Sequence, residues 1–136
     1  MKLYYFDIYG RAESIRFLLS HAKVKYENVI CNGDVFKQLK ESGKLEFGQV
    51  PMIEISDGHR FVQSWAILRY LGRTYGYYPN EAELAWKIDS TIDAVEDNLA
   101  AYLKFHFESN EEMKAIFKEN WLKMLPVWIN AIEKRL

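Results

Sequence analysis

The chain has 136 residues, 49% of them hydrophobic, which suits one globular domain or a small domain and part of another. A formal net charge of -1 gives no electrostatic reason to expect nucleic acid or an anionic membrane surface as partner. The single cysteine, Cys31, excludes an internal disulfide framework and favours a reducing compartment.

The first ten residues, MKLYYFDIYG, carry no cleavable signal pattern, because the apolar stretch is short and Asp7 interrupts it. No apolar run approaches the roughly 18 residues of a membrane span. The expectation is a soluble, cytoplasmic protein. Residues 2–6 are aromatic-rich and predict a buried strand. Leu3 and Tyr5 share one of its faces, Tyr4 and Phe6 the other. Gly10 breaks it. From Arg11 the period changes, and Ala12, Ile15, Leu18, Leu19 and Ala22 recur at helical spacing.

Residues 25–31 predict a second strand. A polar segment over 32–46 holds a short helix around Phe36 and Leu39, ended by Gly43. Residues 52–55 and 60–62 flank Ser56-Asp57-Gly58, a hairpin turn signal. Ser64 then precedes Trp65, Ile67, Leu68 and Leu71, which makes it the expected N-cap of a third helix. The order β-α-β-α-β-β-α implies a mixed sheet with helices packed on it.

Residues 72–79 read as the end of that helix and a linker. A long helix is predicted over 81–107, with Leu84, Ile88, Ile92, Val95, Leu99 and Leu103 as its apolar stripe. A second covers 111–136, with Met113, Phe117, Leu122 and Leu125, and Pro126 is expected to kink it. The reading is an α/β domain over 1–75 and a helical one over 80–136. Two helices make one contact layer. Trp121, Trp128, Ile129 and Ile132 therefore need cover from the α/β domain, a second copy or further chain.

Taken together, the run YYFDIYGRAESIR, the later FGQVP and QSWAILRYL, and the helical tail resemble glutathione transferases. The resemblance is greatest to the sigma class, which includes the glutathione-dependent prostaglandin D synthases. It implies an α+β thioredoxin-like N-terminal domain over 1–75, with a mixed four-stranded sheet that grips glutathione. An all-α segment of two long helices over 80–136 would follow. Family members run on through more helices, so the chain looks cut after the second. The resemblance further implies glutathione as co-substrate, a small hydrophobic electrophile as second substrate, and a homodimer in which each glutathione site is completed by the partner.

Glutathione is nucleophilic as its thiolate, and a free thiol has a pKa of about 8.5. A hydroxyl aimed at the sulfur donates to the anion and stabilises it. The resemblance assigns that role to Tyr5, with the charge of Arg11 making the phenol a better donor. Tyr4, on the opposite face, is then structural. A helix-start salt bridge with Glu13 is the other reading of Arg11. Tyr9 stands where these proteins often carry arginine.

The resemblance also gives Pro51 of Gln49-Val50-Pro51 a cis peptide bond. That bond would leave the backbone of Val50 free to pair with the cysteinyl part of glutathione, like an added strand. Gln63-Ser64 opens the third helix, where orphan amides and the helix dipole attract an anion such as the γ-glutamyl carboxylate. Lys40 matches a lysine that meets the glycyl carboxylate, and Phe36 stands where tryptophan is common.

On the long helix Asp89, Asp93, Glu96 and Asp97 share one side. They read as a solvated acidic face, and the resemblance implies that Asp97 reaches across a dimer to the glutathione amine. Tyr9, Tyr102 and His106 are weaker candidates for a second-substrate pocket, with packing as the alternative for Tyr102 and His106. No metal site is expected, since the carboxylates lack a histidine partner and His21, His59 and His106 have no ligand spacing. The expected function is transfer of the glutathione thiolate to hydrophobic electrophiles. The alternatives are a glutathione-dependent isomerase and a noncatalytic binding or dimerisation module.

Overall fold

The computed structural model describes residues 1–135, and the expected end of the last helix at Leu136 lies outside the described residues. The chain divides into two units, Met1–Pro79 and Asn80–Leu136.

In the first unit β1 (Lys2–Tyr5) is followed by α1 (Glu13–His21), β2 (Glu27–Ile30), α2 (Gly33–Glu41), β3 (Met52–Glu54), β4 (Arg60–Val62) and α3 (Ser64–Thr74). This is the order read from the sequence. The sheet runs β2-β1-β3-β4. β1 pairs parallel with β2 and antiparallel with β3, and β3 pairs antiparallel with β4. The predicted hairpin closes at Gly58, whose φ of 85° lies in the left-handed region that glycine adopts without strain.

The period-two alternation decides what each face meets. Leu3 and Tyr5 join Ile53 on one side, packed with Ala12, Ile15 and Leu19 of the α1 segment and Ile67 and Leu71 of α3. Met52 takes the other side with Cys31, Leu39 and Leu45, and Tyr4, Phe6 and Phe36 pack against that cluster. Leu3, Ile15, Leu19, Met52, Ile53, Ile67 and Leu71 are completely buried. Each such side chain contributes about 1.5–3 kcal/mol relative to exposure. Cys31 lies just past β2 and is buried.

The second unit is a helical hairpin of α4 (Ala82–His106) and α5 (Glu111–Glu133). The Glu81 carboxylate accepts from the amides of Glu83 and Leu84 and caps α4; Asn110 accepts from the Met113 amide and caps α5. Trp128 Nε1–H donates to the Ala94 carbonyl at 2.8 Å, and Arg135 donates to the hydroxyls of Ser90 and Thr91 at 2.8 and 2.9 Å, so the helices run antiparallel. α5 runs unbroken through Pro126.

The predicted apolar stripe of α4 is only partly a core. Ile92 is buried, whereas Leu84 is 49% exposed. Within this unit α5 buries no residue fully, and Val127 is 70% exposed. The physical reason is the one visible in the sequence: two helices offer each other one face. Among the described residues no helix is long and apolar enough to cross a membrane.

Candidate functional site

Tyr5 ends β1 with its ring in the core; the residue is 6% exposed. The Arg11 main-chain N–H donates to its hydroxyl oxygen at 3.0 Å. Gly10 makes that approach possible, because a Cβ there would stand 2.9 Å from the hydroxyl. Arg11 therefore meets the phenol through its backbone. Glu13 pairs with Arg16 at 2.8 Å. Tyr9 is 91% exposed on the same loop. Tyr4 is held above the usual phenol range by burial and then by Glu54, which keeps it a neutral packing group.

The Val50–Pro51 peptide bond is cis. Pro51 is buried, Val50 half-buried and Gln49 exposed. Val50 packs against both apolar clusters of the sheet, one of which contains Tyr5. Phe36 meets Phe6 edge-on at 5.3 Å, and Phe6 packs on Tyr5 at 5.6 Å. The Lys40 ammonium lies 4.9 Å from the Phe36 ring centroid, one helical turn on. Its stem borders Gly48, next to Gln49. The fold thus gathers Tyr5, Phe36, Lys40 and the 49–51 segment around one end of β1.

The start of α3 departs from expectation. Gln63, not Ser64, is the N-cap residue, and its side chain makes no capping bond. Gln63 has φ 71° and ψ 109°, left-handed backbone that a side chain adopts only under strain. Ser64 is the first helical residue and 6% exposed. Serine chemistry suggested the cap, but the backbone enters the helix one residue earlier. The first-turn amides of α3 consequently lack a cap from the Gln63 side chain. A groove of about 290 Å³ is lined by Glu46 and Phe47 together with residues of β4, the intervening Gln63 and α3; neither Tyr5 nor Pro51 lines it.

In the helical unit Asp97 is exposed. Tyr102 and His106 stack at 5.3 Å, with the hydroxyl 3.4 Å from Nδ1, and Tyr102 packs edge-on against Trp121 and Phe105. Among the described residues no group of three or more His, Cys, Asp or Glu could hold a metal ion.

Residues 1–73 match the glutathione S-transferase N-terminal domain. The chain belongs to the glutathione S-transferase family. It is 38% identical over 112 residues to glutathione S-transferase alpha-4 of Rattus norvegicus, covering 82% of this chain and 50% of that one. The solved structure of prostaglandin synthase D of Nilaparvata lugens is 33% identical with a TM-score of 0.84, over 96% of this chain and 64% of that one. The sigma-class glutathione S-transferase of Fasciola hepatica is 28% identical with a TM-score of 0.79, over 98% and 64%. The chain spans about half the length of the curated relatives it matches.

The sequence reading of this chain missed Arg16. Its guanidinium bonds Glu13, lies 5.7 Å from the Tyr5 ring centroid and reaches the carbonyls of Phe6 and Ile8. The signal available was the ESIR segment, where i,i+3 spacing brings Glu13 and Arg16 together on the helix. The strained backbone of Gln63 left no signal, because composition does not report φ.

Proposed function

We propose that this chain is the glutathione-handling part of a sigma-type, cytoplasmic, homodimeric glutathione transferase. Residues 1–75 bind glutathione, and residues 80–136 are part of the helical domain that receives a small hydrophobic electrophile. The observation that carries the reading is the Tyr5 hydroxyl, which accepts from the Arg11 amide at 3.0 Å. With an acceptor position filled by that donor, the phenol's own proton is directed elsewhere. A sulfur is the acceptor that the family's chemistry supplies. The thiolate so held attacks the electrophile.

The other residues take roles consistent with this. Val50, beside cis-Pro51, pairs its backbone with the cysteinyl unit, flanked by Gln49. The amides of α3 with Gln63 and Ser64 take the γ-glutamyl carboxylate. Lys40, steadied over Phe36, takes the glycyl carboxylate. Asp97 meets the γ-glutamyl amine of the partner's glutathione. Tyr102 and His106, stacked on α4, border the electrophile. The sigma assignment rests on likeness to the solved sigma-type structures, while the curated relative named above is an alpha-class protein.

Likeness to a prostaglandin synthase supports one second reading, isomerisation with glutathione regenerated. Titration with glutathione, solution mass and glutathione consumption with an aryl halide test the proposal together. Saturable binding by a dimer with stoichiometric consumption is expected. Turnover of a substrate without net consumption favours the isomerase, and absence of binding contradicts both.

A further inference from the structure

Arg16 sits on α1 with its side chain 17% exposed, paired at 2.8 Å with a Glu13 carboxylate that is 22% exposed. An ion pair this sheltered is aimed by its partner and screened little by salt. The remaining donors do not satisfy α1. One guanidinium nitrogen reaches the Ile8 carbonyl at 3.3 Å and another the Phe6 carbonyl at 3.4 Å. Nε reaches the Asn28 side-chain oxygen on β2 at 3.4 Å. The cationic carbon lies 5.7 Å from the Tyr5 ring centroid, within reach of the negative ring face.

The Phe6 and Ile8 carbonyls belong to the loop that carries Gly10 and Arg11, whose amide touches the Tyr5 hydroxyl. One planar fork therefore holds the ring and the loop that supplies the hydroxyl's donor. Lysine, a point charge on a flexible stem, cannot bridge two carbonyls and a carboxylate in fixed directions.

We infer that Arg16, aimed by Glu13, is a positioning residue that fixes the Tyr5 hydroxyl in its thiol-stabilising orientation by tying the Phe6 and Ile8 carbonyls to α1. This rests on the reading of Tyr5 as the thiol's donor. Arg16 touches no substrate. Its effect passes through the loop and is felt where the oxygen must meet a sulfur within tenths of an ångström.

The test is the ultraviolet thiolate absorbance of bound glutathione followed against pH, in the wild type, Arg16→Lys, Glu13→Gln, Tyr5→Phe and the Arg16→Lys/Tyr5→Phe double variant. Calorimetric glutathione affinity and thermal midpoints are measured alongside. Arg16→Lys and Glu13→Gln are expected to raise the thiol midpoint by about 0.5–1 pH unit, a roughly three- to tenfold loss of thiolate near neutrality, with affinity changed less than about threefold. Adding Arg16→Lys to Tyr5→Phe should move the midpoint no further, because the group being positioned is gone.

A folded Arg16→Lys with the wild-type midpoint, or one that only lowers the thermal midpoint, overturns the inference and leaves Tyr5 standing. An equal shift in the Tyr5→Phe background overturns it as well. Should Arg16→Lys fail to fold, Glu13→Gln decides: a raised midpoint supports the inference and an unmoved one overturns it. Absence of any thiolate signal in the wild type instead removes the Tyr5 reading, and this inference with it.

Discussion

The main-chain N–H of Arg11 donates to the Tyr5 hydroxyl oxygen at 3.0 Å, across a loop that turns at Gly10. The relationship is tight enough to be broken from the glycine side. A Cβ at Gly10 would stand 2.9 Å from the hydroxyl, closer than real Cβ atoms come. Gly10→Ala is expected to push the phenol aside, lowering turnover at neutral pH by about 10–100-fold with glutathione affinity little changed. Steady-state kinetics at saturating glutathione check this; turnover within twofold of wild type contradicts it.

Gln63 offers a separation of stability from binding. Its φ of 71° costs energy that glycine would not incur. Gln63→Gly should leave stability unchanged or raise it by up to about 1 kcal/mol, the relief being partly offset by a freer unfolded chain. The same substitution removes the side-chain amide proposed to meet the γ-glutamyl group, so glutathione should bind several-fold more weakly. Urea denaturation and calorimetry on one variant read both effects, and a loss of stability would show that the left-handed backbone is not strained.

The two units should respond unequally to truncation. Ile15 is completely buried between α1 and the sheet, while Val127 on α5 is 70% exposed. Ile15→Ala is expected to cost about 2–5 kcal/mol by leaving a cavity. Val127→Ala is expected to stay within about 0.5 kcal/mol. A comparable loss for Val127→Ala would mean that α5 is covered in solution.

Alkaline pH should weaken the first unit. Burial holds the Cys31 thiol above its ordinary value of 9.0. A raised native value means that the unfolded chain loses its proton first. The contribution is therefore complete below the ordinary thiol range and is lost as pH rises through the native value. Tyr4, raised by burial and then Glu54, acts in the same direction above 10.0. Denaturation midpoints across this range should fall less steeply in Cys31→Val than in wild type, and identical slopes contradict the assignment to Cys31.

Much of the fold was legible because it depends on periodicity. Alternation in β1 separated Leu3 and Tyr5 from Tyr4, and these lie in the clusters their faces dictate, while Phe6, just past the strand, packs against both. The Asp57-Gly58 turn announced its hairpin. Coverage was less legible: helical spacing picked out Leu84 but could not say what would lie over it. Ser64 was misplaced as a cap because cap preference is a side-chain statistic, whereas the helix start is fixed by the unusual backbone of Gln63. At the candidate site Tyr5, Phe36, Lys40 and Pro51 were proposed by motif. Arg16 was not, since its role lies in carbonyls of a loop whose path no spacing rule gives.

The decisive measurement is the pH titration of thiolate absorbance in glutathione bound to wild type and to Tyr5→Phe, with affinity measured for both. Removal of one hydroxyl donor should lower turnover by about 10²–10³-fold and change affinity far less. The expected result is a wild-type midpoint well below the free thiol's value of about 8.5, returning towards it in Tyr5→Phe. Coincident titrations in the two proteins, with glutathione bound in each, would contradict the role given to Tyr5.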